Sequence, residues 1–297
     1  MPVQAVIEAV PELHGATSVE PIVGGLTNAN YKVVSPAGRF HVRIWGRDTG
    51  LLGIDRENEL HNAIAAAETG VAPRVVAGLP ELRAMVVEFL DAETLSREAL
   101  QRGDRLGLVA DACRRLHSGR PFLRDFDMFD VTRGYLAIVD ERGFRLPEGY
   151  RGYAEQVGEM EAAMREQPEK RVPCNNDLLA ENFLDTGGEI RIIDFEYSGN
   201  NEPSFEVGNI WSESNLSPAQ LEELVARYYG SAEPSKVARA RLWGLIAKYG
   251  WMLWASIQEG VSELDFDFWS WGLEKYERAV AELDGPDFER LLEDVRG

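Results

Sequence analysis

Between Val172 and Asp194 two short apolar segments flank Asp185-Thr186-Gly187-Gly188, a turn sequence that predicts a β-hairpin. Ahead of it runs Pro173-Cys174-Asn175-Asn176-Asp177-Leu178-Leu179-Ala180-Glu181-Asn182, and behind it Ile192-Ile193-Asp194-Phe195-Glu196. Asp177 and Asn182 are five residues apart in the loop that enters the hairpin, and Asp194 lies just past the return strand. Closing the hairpin brings Asn182 and Asp194 side by side and leaves Asp177 facing whatever approaches. As plain structure, Asp177 would cap a turn and Asp194 would be a surface acid. Three oxygen-bearing groups at these spacings point instead to a site.

The rest of the chain is read around that segment. Val19–Val23, Ala29–Ser35 and Phe40–Trp45 are β-rich runs broken by Gly24-Gly25 and by Ser35-Pro36-Ala37-Gly38. A helix is predicted from about Asp55 to Thr69, capped by Gly70 and stopped at Ala72-Pro73. Strands at Arg74–Ala77 and Leu82–Phe89 follow, and polar Asp91-Ala92-Glu93 marks a junction near Leu90. Beyond it, helical periodicity runs through Asp104–His117, Tyr150–Gln167, Pro218–Tyr229, Ser235–Glu259 and Phe266–Leu283. The expected architecture is α+β, with a β-rich lobe at 1–90, a mainly helical lobe at 91–297, and a ligand cleft between them.

Charge narrows the partners. The 297 residues carry 31 basic and 50 acidic side chains, a formal charge of −19. Such a surface repels phosphate backbones and anionic lipid, so nucleic-acid and membrane-surface roles are not expected, whereas a small cation is tolerated. Excess carboxylates also simply keep a protein in solution. No apolar run reaches the roughly 18 residues of a membrane span. The stretch Met1–Ala9 has no basic cluster, and two cysteines, Cys113 and Cys174, build no disulfide framework. A cytoplasmic setting is therefore expected.

Phosphoryl transfer to an alcohol needs a carboxylate to take the hydroxyl proton and hard oxygen ligands for the Mg²⁺ that bridges nucleotide phosphates. Asp177, Asn182 and Asp194 supply that set, in the D-x-x-x-x-N, hairpin, D-F order of kinase catalytic and metal loops. Together with Ile193-Asp194-Phe195-Glu196-Tyr197-Ser198 and Phe205-Glu206-Val207-Gly208-Asn209, the segment resembles the choline/ethanolamine kinases, over about Val19–Ala279. The resemblance implies a two-lobe protein-kinase-like fold, ATP and Mg²⁺ as cofactors, Asp177 as catalytic base, and Asn182 and Asp194 as metal ligands. Glu196 is a weaker candidate for a second metal. One departure stands out: Asn175 occupies the position where the family usually has His, which bears on turnover more than on reaction type.

On the nucleotide side the resemblance places a phosphate-covering loop at Gly24, Gly25, Thr27 and Asn28, although a Gly-Gly turn by itself is an ordinary hairpin. It is no Walker loop. Arg43 takes the place of the usual strand lysine, with Glu59 its expected carboxylate partner and Glu57 the alternative. Backbone groups of Glu88 and Leu90 are expected to hold the adenine, by fold analogy.

Five of the seven tryptophans fall after residue 240, and Trp251 and Trp254 share a helix face. Such clusters are commonly core. The family's aromatic cage for a quaternary ammonium instead maps to Trp251, Trp254 and Trp271, less surely to Trp211, with Glu213 as the acidic partner; Trp243 and Trp269 are read as core. The implied acceptor is a small cationic alcohol, choline over ethanolamine. Thiamine, an amino sugar, an aminoglycoside, or a weakly active amine-binding protein are the alternatives. A protein kinase is set aside, because no Ala-Pro-Glu segment follows and Glu196 replaces the glycine after Asp194-Phe195.

Overall fold

The computed structural model describes residues 2–22, 28–46 and 49–297. The Gly24-Gly25-Thr27 portion of the expected phosphate loop lies outside them. A short helix α1 (Pro2–Ala9) precedes strands β1 (Ser18–Ile22), β2 (Asn28–Ser35) and β3 (Gly38–Trp45). Helix α2 (Arg56–Glu68) and strands β4 (Val75–Leu79) and β5 (Ala84–Glu88) complete a five-stranded antiparallel sheet in the order β1-β2-β3-β5-β4. α1 was not anticipated; its Val3, Val6 and Ile7 join Val33, Phe40, Val42, Ala84 and Val86 in a small core on one side of the sheet.

α2 starts where the Asp55 carboxylate accepts hydrogen bonds from the Glu57 and Asn58 N–H groups, and it ends at Gly70 with φ +75°. Its polar side chains cross to the other lobe. Asn58 Nδ2 donates to the Ser198 carbonyl at 2.8 Å, and Asn62 Nδ2 donates to the same carbonyl at 3.1 Å. The position of Glu59 on this helix is thus set by the helical lobe as much as by the sheet.

After β5 the chain enters that lobe through β6 (Glu93–Thr94), α3 (Arg97–Leu100), α4 (Arg105–His117), α5 (Met128–Arg142) and α6 (Ala154–Glu166). β7 (Val172–Cys174), the hairpin β8 (Phe183–Asp185) and β9 (Ile190–Ile192), and β10 (Gly199–Asn201) carry the motif loops. β6, β8 and β9 form one small antiparallel sheet, and β7 pairs with β10. Helices α7 (Pro203–Glu213), α8 (Pro218–Tyr229), α9 (Pro234–Val261), α10 (Phe268–Leu283) and α11 (Phe288–Arg296) close the lobe. α9 is buried almost continuously from Ala238 to Gln258, as a helix packed on all sides must be, with α5, α7, α10 and α11 around it. Among the described residues no helix is long and apolar enough to cross a membrane.

α7 and α9 meet backbone to backbone. A Cβ at Gly208 would run into the Ala240 carbonyl and stand 2.8 Å from Gly244 N, and one at Gly244 would stand 2.6 Å from the Gly208 carbonyl oxygen. Both positions admit only hydrogen there. Gly208→Ala is expected to cost about 1–3 kcal/mol of stability, because the two helices must part. Urea unfolding checks this, and a midpoint equal to that of the unaltered chain would show that the contact yields freely.

Candidate active site

The loop ahead of the hairpin is held open by its own side chains. Asn176 has φ +68°, a left-handed conformation that asparagine tolerates better than most residues. Its buried amide donates to the carbonyls of Tyr197 at 3.1 Å and Gly199 at 3.3 Å, and accepts from Asn201 Nδ2 at 3.0 Å. Glu206, fully buried on α7, accepts from the N–H groups of Asn175 and Asn176. His117 and Cys174 pack beside it, with Cys174 Sγ 3.7 Å from His117 Nε2. The motif Phe205-Glu206-Val207-Gly208-Asn209 therefore supports the loop from beneath.

Asn175 ties the loop to the return strand. Its Nδ2 donates to the carbonyls of Ile193 at 3.2 Å and Asp194 at 2.8 Å, and its Oδ1 accepts from Asp177 N at 3.1 Å. The amide thus makes the loop-holding contacts expected of the missing His, without a ring and without a titrating group.

Asp177, Asn182 and Asp194 all line one cavity of about 400 Å³. Asn182 Nδ2 donates to the Asp177 carbonyl at 2.7 Å, which leaves its Oδ1 for a cation. Asp194, at φ +63°, shares the cavity wall and receives Arg43 Nη1 on Oδ1 at 2.6 Å. An amide oxygen and a carboxylate beside one opening are the hard donors that Mg²⁺ takes, with water and phosphate oxygens filling its remaining positions. The Asp177 carboxyl is pushed well above the ordinary range by burial first, then by Asp194, Glu213 and Glu196, with Lys275 opposing.

Arg43 is buried at the meeting point of this cavity and a second one of about 320 Å³. Burial disfavours its charge, but Asp194, Glu59 and Glu196 outweigh that and raise its pKa. It donates to Glu59 Oε1 at 3.1 Å, the partner expected from the sequence, while Glu57 is exposed. The contact with Asp194 was not anticipated. It joins the expected phosphate-binding arginine directly to an expected metal ligand. Arg56, also unanticipated, donates to Glu59 Oε2 at 2.7 Å and Glu196 Oε2 at 3.2 Å. Asn28 belongs to the same network, donating to Glu196 at 3.0 Å and accepting from Arg56 at 3.0 Å. Glu196 Oε2 thus receives both Asn28 and Arg56, and the residue lines the same cavity as Asp194.

The second cavity is lined by Glu88 and Leu90, with Met85, Ala72 and Phe195 as apolar walls. The N–H of Glu88 donates to the Arg74 carbonyl at 2.9 Å and that of Phe89 to the Arg39 carbonyl at 3.0 Å. Among the described residues the Leu90 N–H makes no such backbone bond, so of these three it is the donor left beside the cavity.

At the far end of the first cavity stand Trp251, Trp254, Trp271 and Glu213. Trp254 and Trp271 have ring centroids 5.3 Å apart, and Trp254 Nε1 donates to the Tyr197 hydroxyl at 2.8 Å. Tyr197 packs edge-on to Trp251 at 5.3 Å. Trp211 does not line the cavity; its ring is covered by Lys248 at 4.3 Å. Trp243 is core, donating to Glu202 at 3.0 Å, and Trp269 lies half-buried under Arg145. Glu213, at the end of α7, faces the cavity and is ion-paired with Lys275 through Oε2.

An antiparallel sheet lobe, a helical lobe, and an Asp/Asn/Asp loop-and-hairpin in the cleft define a kinase-like phosphotransferase. The choline/ethanolamine kinase family profile matches residues 19–223. A crystal structure of a choline/ethanolamine kinase family protein from Mesorhizobium loti is similar at 32% identity, TM-score 0.88, over 100% of this chain and 99% of that one. A probable choline kinase 2 of Arabidopsis thaliana is 25% identical, over 89% of this chain and 85% of its own length. An ethanolamine kinase 2 of Homo sapiens is 27% identical, over 76% of this chain and 65% of its own length. The chain belongs to the choline/ethanolamine kinase family, phosphotransferases with an alcohol acceptor.

Two outcomes are expected from this geometry. Asn175→Ala removes the tie between the two loops and should lower kcat roughly 10–100-fold with little change in nucleotide KM; an unchanged kcat in steady-state assays would show the tie to be dispensable. Because the Asp177 carboxyl is raised in the folded state, its ionisation weighs against the fold at neutral pH, and that cost is relieved as pH falls through the raised value. Asp177→Asn should therefore raise the melting temperature at neutral pH, by roughly 2–4 °C per kcal/mol relieved. The gain should shrink on acidification, and calorimetry that finds no gain at neutral pH would contradict the assigned burial cost.

Proposed function

We propose that the protein transfers the γ-phosphate of ATP, taken with Mg²⁺, to the hydroxyl of choline to give phosphocholine. The observation that carries this reading is that one cavity contains both the Asp177, Asn182 and Asp194 oxygens and the Trp251, Trp254, Trp271 and Glu213 cluster. In this reading the adenine occupies the neighbouring cavity at Glu88 and Leu90, and the phosphates lie at Arg43, which lines both cavities, and at Asn28, which lines the first. Gly24, Gly25 and Thr27 are assigned to the phosphates from the family resemblance alone. Glu59 keeps Arg43 in position. Mg²⁺ at Asn182 and Asp194 would neutralise charge on the phosphates as transfer proceeds.

Asp177 is the base in this reading. Its raised carboxyl is a better proton acceptor than an ordinary aspartate, and the acceptor hydroxyl is held beside it while the phosphoryl group is transferred in line. The indole faces hold the quaternary ammonium by cation–π attraction, which needs no hydrogen-bond donor on the ligand. The nucleotide-binding lobe is taken as residues 1–90 and the acceptor lobe as 91–297. Two buried free thiols, Cys113 and Cys174, agree with a reducing, cytoplasmic setting.

A second reading, ethanolamine, is favoured by one feature. Glu213 Oε1 is buried with no hydrogen-bond partner among the described residues, and a primary ammonium could donate to it. A panel of choline, ethanolamine, thiamine, amino sugars and aminoglycosides, assayed for ADP release with ATP and Mg²⁺, decides between acceptors. Choline is expected to give the highest kcat/KM. Asp177→Asn should abolish turnover, and Trp254→Ala should raise the choline KM far more than the ATP KM. Retained turnover in the first variant would reject Asp177 as the base, and equal effects on both KM values in the second would make Trp254 a core residue.

A further inference from the structure

A buried cation stands directly behind the acceptor end of the cavity, against two of its lining residues. Lys275 lies on α10 one turn after Trp271, and its ammonium stands 4.3 Å from the Trp271 ring centroid. The same ammonium is ion-paired with Glu213 Oε2, and both side chains are almost entirely buried. It therefore makes the two contacts a substrate ammonium would make here: an indole face and the carboxylate at the end of α7. The carboxylate keeps one oxygen open, since Glu213 Oε1 has no hydrogen-bond partner among the described residues.

We propose that Lys275 is a resident competitor for the acceptor's ammonium group, a specificity-determining residue that sets how tightly this site holds a cation. The inference rests on the reading of the cavity as an ammonium site and adds an internal rival to it. Glu213 and Lys275 together present no net charge to an incoming ligand. The acceptor must then draw its affinity from the indole faces and from the open Glu213 oxygen, against the repulsion of a like charge close by. The pair has a structural use as well. It balances a buried carboxylate at a helix C-terminus, where the helix dipole disfavours negative charge.

The test uses tetramethylammonium as the probe, titrated calorimetrically into the full chain against sodium at equal ionic strength, so that catalysis is not involved. Lys275→Met is expected to bind it about tenfold tighter than the unaltered protein. Removing one member of a buried pair can unfold a protein, so the double variant Glu213→Gln/Lys275→Met is measured alongside. Replacing both charges should leave the fold intact and give weaker binding than Lys275→Met, since the Glu213 attraction is removed together with the Lys275 repulsion. Unchanged or weaker binding by folded Lys275→Met, or a double variant that binds as tightly as Lys275→Met, would overturn the competition. Should tetramethylammonium bind none of the proteins, the ammonium site itself is rejected, and this inference with it; equal binding by the unaltered protein and Lys275→Met removes the inference alone.

Discussion

Like charge gathered out of water is the constraint around which this molecule is arranged. Asp177, Asp194, Glu196 and Glu59 converge on one cleft, and burial together with mutual repulsion raises the Asp177 and Glu196 carboxyls. Three cations hold the group together: Arg43 bridges Glu59 and Asp194, Arg56 bridges Glu59 and Glu196, and Lys275 meets Glu213. His41, whose pKa is lowered to about 4 by burial and by Arg43, adds no further charge near neutrality. The negative excess is what a divalent cation and a basic group in transit need. Isolated surface ion pairs contribute little, but in a network this buried, loss of one cation leaves an uncompensated acid.

Much of the architecture was legible because it is written in local signals. The turn at Asp185-Thr186-Gly187-Gly188 closes the hairpin β8–β9. Gly70 ends α2 and the five sheet strands fall close to their predicted runs, with Pro80–Leu82 forming a short helical turn before β5 begins at Ala84. Five helices escaped, four of them for identifiable reasons, α3 being only four residues long. α7 is buried from Ser204 to Glu213, so no polar face marks its period, and α5 carries Thr132 and Gly134 within its pattern. α1 is eight residues long. α11 is different: Phe288, Leu291, Leu292 and Val295 form a clear apolar face that periodicity alone could have found.

For the candidate site the division is similar. Residues within one loop-and-hairpin could be placed together by spacing, and Asp177, Asn182 and Asp194 do share a cavity. What spacing cannot supply is contact between distant elements. The Arg43–Asp194 bridge joins residues 151 positions apart, and Lys275 reaches Glu213 across 62 positions. Asn175 looks in the sequence like a plain replacement for His, and only its folded partners reveal that its amide bridges two loops. Glu206 was visible as part of a motif, yet its use is to receive backbone N–H groups, and no side-chain pattern announces that.

The stitching of α2 to Ser198 by Asn58 and Asn62 has a mechanical outcome. This helix belongs to the sheet lobe by sequence and to the helical lobe by attachment. The Arg43–Glu59 pair therefore ties β3 of the sheet to a helix that is itself anchored on the helical lobe, so the two lobes share one buried charge contact.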